Sequence, residues 1–168
     1  MYEPINGQGR EPYRYIPYGK STVGRVGCEA IAVYNTMSLL GRSTSFDEVK
    51  AFFEALFRKG LGWGCRGHLG ATPVEMRKFF RSRNICFEGT FSLKKLKRHT
   101  EEGIFILHYW VKPYRRGIHT VAVRHDGNGC YTVYNWFNNA ETAYLRHDLS
   151  DFLPGKRRFI YGMFVPVQ

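Results

Sequence analysis

Between residues 28 and 40 the apolar positions Ala30, Ile31, Val33, Tyr34, Met37 and Leu40 recur at intervals of three and four. That spacing predicts a helix with a broad apolar face, as a buried helix needs. Gly41 follows as its stop. A second helical pattern begins at Ser45, with Glu48 three residues on in capping-box register. Its apolar side is Val49, Phe52, Phe53, Leu56 and Phe57. A third begins at Thr72, with Pro73 in the first helical position and Glu75 two residues later. It carries Val74, Met76, Phe79 and Phe80. A short basic helix is predicted from Ser92 to Thr100, on the surface. Residues 1–20, rich in Gly, Pro and Tyr, show no period and read as an N-terminal arm laid across the domain.

The pattern then changes to that of strands. Residues 104–110 form an almost continuous apolar run, as in a central strand. Residues 119–124 and 131–136 flank Asp126-Gly127-Asn128-Gly129, which predicts an antiparallel hairpin with its turn near Gly127. Residues 159–165 make a last strand. Helices followed by an antiparallel sheet give an α+β class, with N-terminal helices packed on a C-terminal sheet. No repeat or linker divides residues 21–168, which read as one domain.

Composition narrows this picture only a little. The 168 residues carry a net charge of +11, with 43% hydrophobic and 16% aromatic residues, enough for a substantial core. The positive charge admits a nucleic-acid-binding reading, but the basic residues are scattered and no recognised motif accompanies them. The four cysteines do not read as a disulfide framework at this length. The polar first seventeen residues lack a signal-peptide core, and no apolar run approaches a membrane span, so a cytoplasmic protein is expected.

The candidate chemistry starts at Cys28, where a glycine-rich segment gives way to the first helix. The positive end of a helix favours thiolate over thiol, so an activated nucleophile is expected there. A cysteine hydrolase also needs an imidazole and a group that fixes its tautomer. His119 opens one strand of the hairpin and Asn135 lies near the end of the other, with the turn midway. They are expected to be cross-strand neighbours, the Asn135 side-chain oxygen accepting from one ring nitrogen.

The segments Gly27-Cys28-Glu29-Ala30-Ile31-Ala32-Val33-Tyr34-Asn35, Gly70-Ala71-Thr72-Pro73-Val74-Glu75-Met76, Gly117-Ile118-His119-Thr120-Val121-Ala122-Val123 and Tyr134-Asn135 resemble the papain-like clan of cysteine peptidases. The C39-like group, related to bacterial bacteriocin-processing peptidases, is the nearest match. The resemblance runs from residue 20 to the C-terminus. It implies a papain-like cysteine proteinase fold, with Cys28 as nucleophile, His119 as base and Asn135 as orienter of a thioester mechanism. It implies peptide or protein substrates and no cofactor or metal. The family's oxyanion glutamine, about six residues before the nucleophile, is replaced by Thr22, with Ser21 beside it. A hydroxyl from Ser21 or Thr22 is one substitute donor, and Gln8 or Asn6 brought round by the arm is another. The orienting Asn stands where the bacteriocin-processing members use Asp.

Other residues fill in the cleft. The glycine-rich stretch 60–70 is expected to line one side, with Trp63 and Gly64 beside the substrate. Trp110 and Trp136 are expected in core and cleft wall rather than on a base-stacking surface. Arg115 and Arg116 on the rim favour acidic substrates. Cys65 and His68 lack the second close pair that a zinc site requires. Two further readings stand beside the peptidase: a catalytically silent papain-like binding or regulatory module, and a basic nucleic-acid-binding protein.

Overall fold

A computed structural model describes residues 3–61, 67–111, 117–146, 148–149 and 157–167. The arm ends in a small hairpin of β1 (Pro17–Tyr18) and β2 (Ser21–Thr22). One helical turn, α1 (Val23–Val26), leads through Gly27 into α2 (Cys28–Leu39). Eleven of the twelve α2 residues are buried, so the helix is surrounded on every side rather than laid on a surface. Gly41 follows it in the left-handed region, at φ +68°, as the stop signal requires. The next two helices, α3 (Phe46–Arg58) and α4 (Pro73–Ser82), begin at Ser45 and Thr72 with both halves of each capping box formed. Val49, Phe53 and Phe57 from α3 and Met76, Phe79 and Phe80 from α4 point inward, and the rings of Phe52, Phe53, Phe79 and Phe80 pack edge to face or tilted.

The second half begins with β3 (Glu88–Thr90) and α5 (Leu93–Leu96). The latter is shorter than the expected helix over 92–100. Ser92 caps it, but after Leu96 the chain closes in tight i−3 turns, as four basic residues in one stretch repel at helical spacing. Nor is it wholly superficial, since Leu96 is fully buried against the sheet. The strands β4 (Gly103–Val111), β5 (Gly117–His125), β6 (Tyr131–Tyr134), β7 (Tyr144–Arg146) and β8 (Arg157–Pro166) follow. They join β3 in a six-stranded antiparallel sheet of order β3-β8-β4-β5-β6-β7. The central strand β4 is buried on both faces. Ile104 and Ile106 meet the helices, while Phe105, Leu107 and Tyr109 join Val121, Val123 and Val133 in a second core. The class is α+β, helices against an antiparallel sheet. Among the described residues no helix is long and apolar enough to cross a membrane.

The hairpin differs from its sequence reading in register. His125 pairs with Tyr131 and Ala122 with Tyr134, which centres the connection on Asn128 rather than Gly127. Asp126 causes this: its side chain accepts from the Asn128 and Cys130 N–H groups, and its own N–H bonds the Cys130 carbonyl, making a five-residue loop. The strand then ends at Tyr134. Asn135 lies beyond it with φ +55°, so it is not a cross-strand neighbour of His119.

Candidate active site

Cys28 is the first residue of α2 and is 5% exposed. With His119 it lines a cavity of about 370 Å³, whose other walls include Gln8, Tyr109, Trp136 and Phe137. His119 stands in β5, its ring edge-to-face with Tyr109. Its Nε2 lies 2.7 Å from the backbone carbonyl oxygen of Asn135. A carbonyl only accepts, so Nε2 carries the hydrogen and a neutral ring presents Nδ1 as the basic nitrogen. The expected contact between His119 and the Asn135 side chain is absent, and the backbone takes its place. The left-handed conformation of Asn135 turns that carbonyl toward the ring. Asparagine tolerates this conformation better than most residues.

The Asn135 side chain serves another partner. Its Oδ1 accepts from the Gln8 N–H at 3.0 Å, and its Nδ2 donates to Gln8 Oε1 at 3.0 Å. Asn6 Oδ1 accepts from the Asn135 N–H at 2.9 Å. These bonds fix the Gln8 amide, and its Nε2 donates a long bond, 3.4 Å, to the Gly24 carbonyl. Gln8 is 2% exposed. The arm is pinned a second time at Ile5, whose N–H and carbonyl both bond the buried Asn35 side chain of α2.

The two substitute donors named from sequence part company here. Ser21 and Thr22 pair with β1, and Thr22 lines a separate cavity with Arg10, Arg14 and Glu141. Gln8 from the arm is the residue on the cavity that holds Cys28.

A solved structure resembles this arrangement across nearly the whole chain. It is the peptidase domain of Streptococcus ComA, described as a bi-functional ABC transporter involved in a quorum-sensing pathway. The TM-score is 0.58 at 12% identity, over 90% of this chain and 97% of that one. The fold is papain-like. No family model matches the sequence, and no curated protein matches it. At this identity the likeness carries the papain-like architecture alone.

Within that papain-like frame a second cavity, of about 350 Å³, adjoins the first. The two share Arg25, Cys28, Gly117 and Ile118, so the cysteine sits between them. Glu29, Leu69 and Trp110 line the second. Of the cleft residues expected from sequence, Trp136 is on the His119 side and Trp110, 37% exposed, on the other. Trp63, Gly64, Cys65, Arg115 and Arg116 lie outside the described residues.

One expectation about Cys28 is reversed. Its thiol is not eased toward thiolate. Burial pushes its pKa well up, and the neighbouring Glu29 carboxyl pushes further. Sequence reasoning passed over Glu29 and over the polar group behind it. Cys28 Sγ donates to Glu29 Oε2 at 3.3 Å, Thr120 Oγ1 donates to Oε1 at 3.4 Å, and Thr120 Oγ1 lies 2.9 Å from His108 Nδ1. His108 Nε2 meets Met76 Sδ at 3.2 Å. Burial, with the charge of His119 second, lowers His108 to about 3 and keeps it neutral. Burial raises Glu29 to about 7. The available signal was a glutamate inside an otherwise apolar helical face, directly after the cysteine.

Proposed function

We propose that this chain is a thiol hydrolase of peptide amides. Cys28 attacks the carbonyl carbon and the π-electron pair moves to oxygen; the tetrahedral adduct then collapses, breaking the C–N bond to release the amine, and water hydrolyses the thioester that remains. His119 Nδ1 takes the thiol proton, delivers it to the leaving amine and later activates the water. The Asn135 carbonyl holds the ring through Nε2–H. The Cys28 N–H and the Gln8 Nε2–H face the developing oxyanion. The observation that carries the reading is the meeting of Cys28, His119 and Gln8 on one cavity, with the histidine tautomer set by a 2.7 Å bond. The likeness to a peptidase domain supports peptides or proteins as the substrate class.

The test is exposure of the purified protein to a proteome-derived peptide library, with new termini read by mass spectrometry. Cleavages made by the wild type and absent with Cys28→Ala and with His119→Ala are expected. Identical peptide maps for all three proteins would overturn the reading. A silent papain-like peptide-binding module is the second reading, favoured by the buried and protonated thiol. It predicts peptides retained uncut.

A further inference from the structure

The proton on Cys28 has two acidic or basic neighbours to answer to, and one of them lies on the same turn of helix. Glu29 Oε2 is 3.3 Å from the sulfur, and the two side chains are 3% and 5% exposed. Thr120 anchors the other carboxyl oxygen from β5. Gly70, at φ +91°, leaves room for the carboxyl on the opposite side: a Cβ there would lie 3.0 Å from Oε2 and 2.5 Å from the Val26 carbonyl oxygen. The carboxyl is thus packed into place from α2, β5 and the segment before α4.

We propose that Glu29 holds Cys28 as a resting thiol, so that the nucleophile loses its proton during attack rather than beforehand. Glu29 is a positioning residue in this scheme. It keeps hydrogen on sulfur by accepting it, and its negative charge opposes a second negative charge beside it. The groups around it act both ways: Thr120 of β5 also hydrogen-bonds the sulfur and lowers its pKa, though less than burial and Glu29 raise it. Glu75 of α4 acts on Glu29 as a like charge, Tyr18 of β1 is buried nearby, and His108 of β4 stays neutral behind Thr120. Arg25 of α1 lines the cavity on which Glu29 opens, and His119 of β5 lies on the other side of Cys28. Among the described residues Glu29 makes no ion pair. In the attack, the S–C bond forms as the S–H bond breaks and the proton passes to His119 Nδ1. That last transfer rests on the hydrolase reading; the resting thiol does not.

The experiment is alkylation by iodoacetamide across pH, which reads thiolate directly and needs no peptidase activity. Intact wild type and Glu29→Gln are compared, with Cys28 modification followed by peptide mass spectrometry and folding checked by circular dichroism. The wild-type midpoint is expected above the ordinary thiol value of about 8.5. The Glu29→Gln midpoint is expected at least one pH unit lower, a roughly tenfold faster reaction at pH 7. Equal midpoints in the two proteins would overturn the proposal. So would a wild-type midpoint well below 8.5, which decides the matter even if the variant fails to fold.

Discussion

Two helix starts in this molecule are built on opposite plans. The first turns of α3 and α4 are closed by complete capping boxes from Ser45 with Glu48 and Thr72 with Glu75. The first turn of α2 has Gly27 at its N-cap and no side-chain cap at all. Nor is there room for one: a Cβ on Gly27 would lie 2.7 Å from the Val23 carbonyl oxygen and 2.8 Å from its Cα. Helices that only support the core take their stability locally, from caps worth about 1 kcal/mol each. The helix that carries Cys28 forgoes the cap and takes its stability from burial along its length. Its leading N–H groups are left without a side-chain partner, and Cys28 at its start lines the cavity.

The largest expected effect falls on the uncapped start. Cys28→Ala should lower peptide turnover by about ten-thousand-fold while the melting curve stays cooperative. Turnover that survives would move the chemistry off α2 altogether. Next comes Gln8, the proposed oxyanion donor. Gln8→Ala should cost about 10²–10³ in kcat, whereas Thr22→Val should leave kcat almost unchanged. Equal losses in the two would return the role to the hydroxyl.

The polar group behind α2 gives a smaller effect, on stability. Glu29, raised to about 7, contributes fully below its ordinary 4.5, and that contribution is lost as pH rises to about 7. His108, lowered to about 3, contributes fully above its ordinary 6.5 and loses this as pH falls. From pH 4.5 to 6.5 the two slopes oppose, each about 1.4 kcal/mol per unit. Their contributions to wild-type unfolding free energy should therefore nearly cancel there. Glu29→Gln removes one slope, so its stability should rise by roughly 2–3 kcal/mol over the same span relative to wild type, read by urea unfolding. A variant with the wild-type profile would mean that Glu29 titrates as an ordinary surface carboxyl. Least of all, Ser45→Ala should cost about 1 kcal/mol in stability and nothing in kcat/KM. A change in turnover there would couple the capped helix to the chemistry, against the separation drawn above.

What could be read from the sequence follows from how local each signal is. The helix at 28 announces itself by spacing, and those at 46 and 73 by spacing and caps; the structure starts them at Cys28, Phe46 and Pro73. The papain-like architecture was legible from the order of segments around Cys28, His119 and Asn135. The hairpin register was not, because one side chain, Asp126, reshapes the loop and moves its centre by one residue. That shift carries Asn135 past the end of the strand. Its contact with His119 then runs through the backbone, a bond no residue-type argument can foresee. Gln8 was one of the substitute donors named from sequence, but the choice between it and the Ser21 or Thr22 hydroxyl was open for a different reason. An aperiodic arm has no pattern to say where it lands. The raised thiol of Cys28 depends on burial from elements distant in sequence, which a helix-start argument leaves out.

Gln8 and Asn135 meet across 127 positions of chain. During synthesis Gln8 emerges 127 residues ahead of its partner. Closing so wide a loop is entropically costly and comes late relative to the formation of local helices. Cys28 on α2 can therefore be in place well before the arm docks. On the proposed hydrolase reading, a chain assembled in this order gains the Gln8 donor only once the arm has met the finished hairpin.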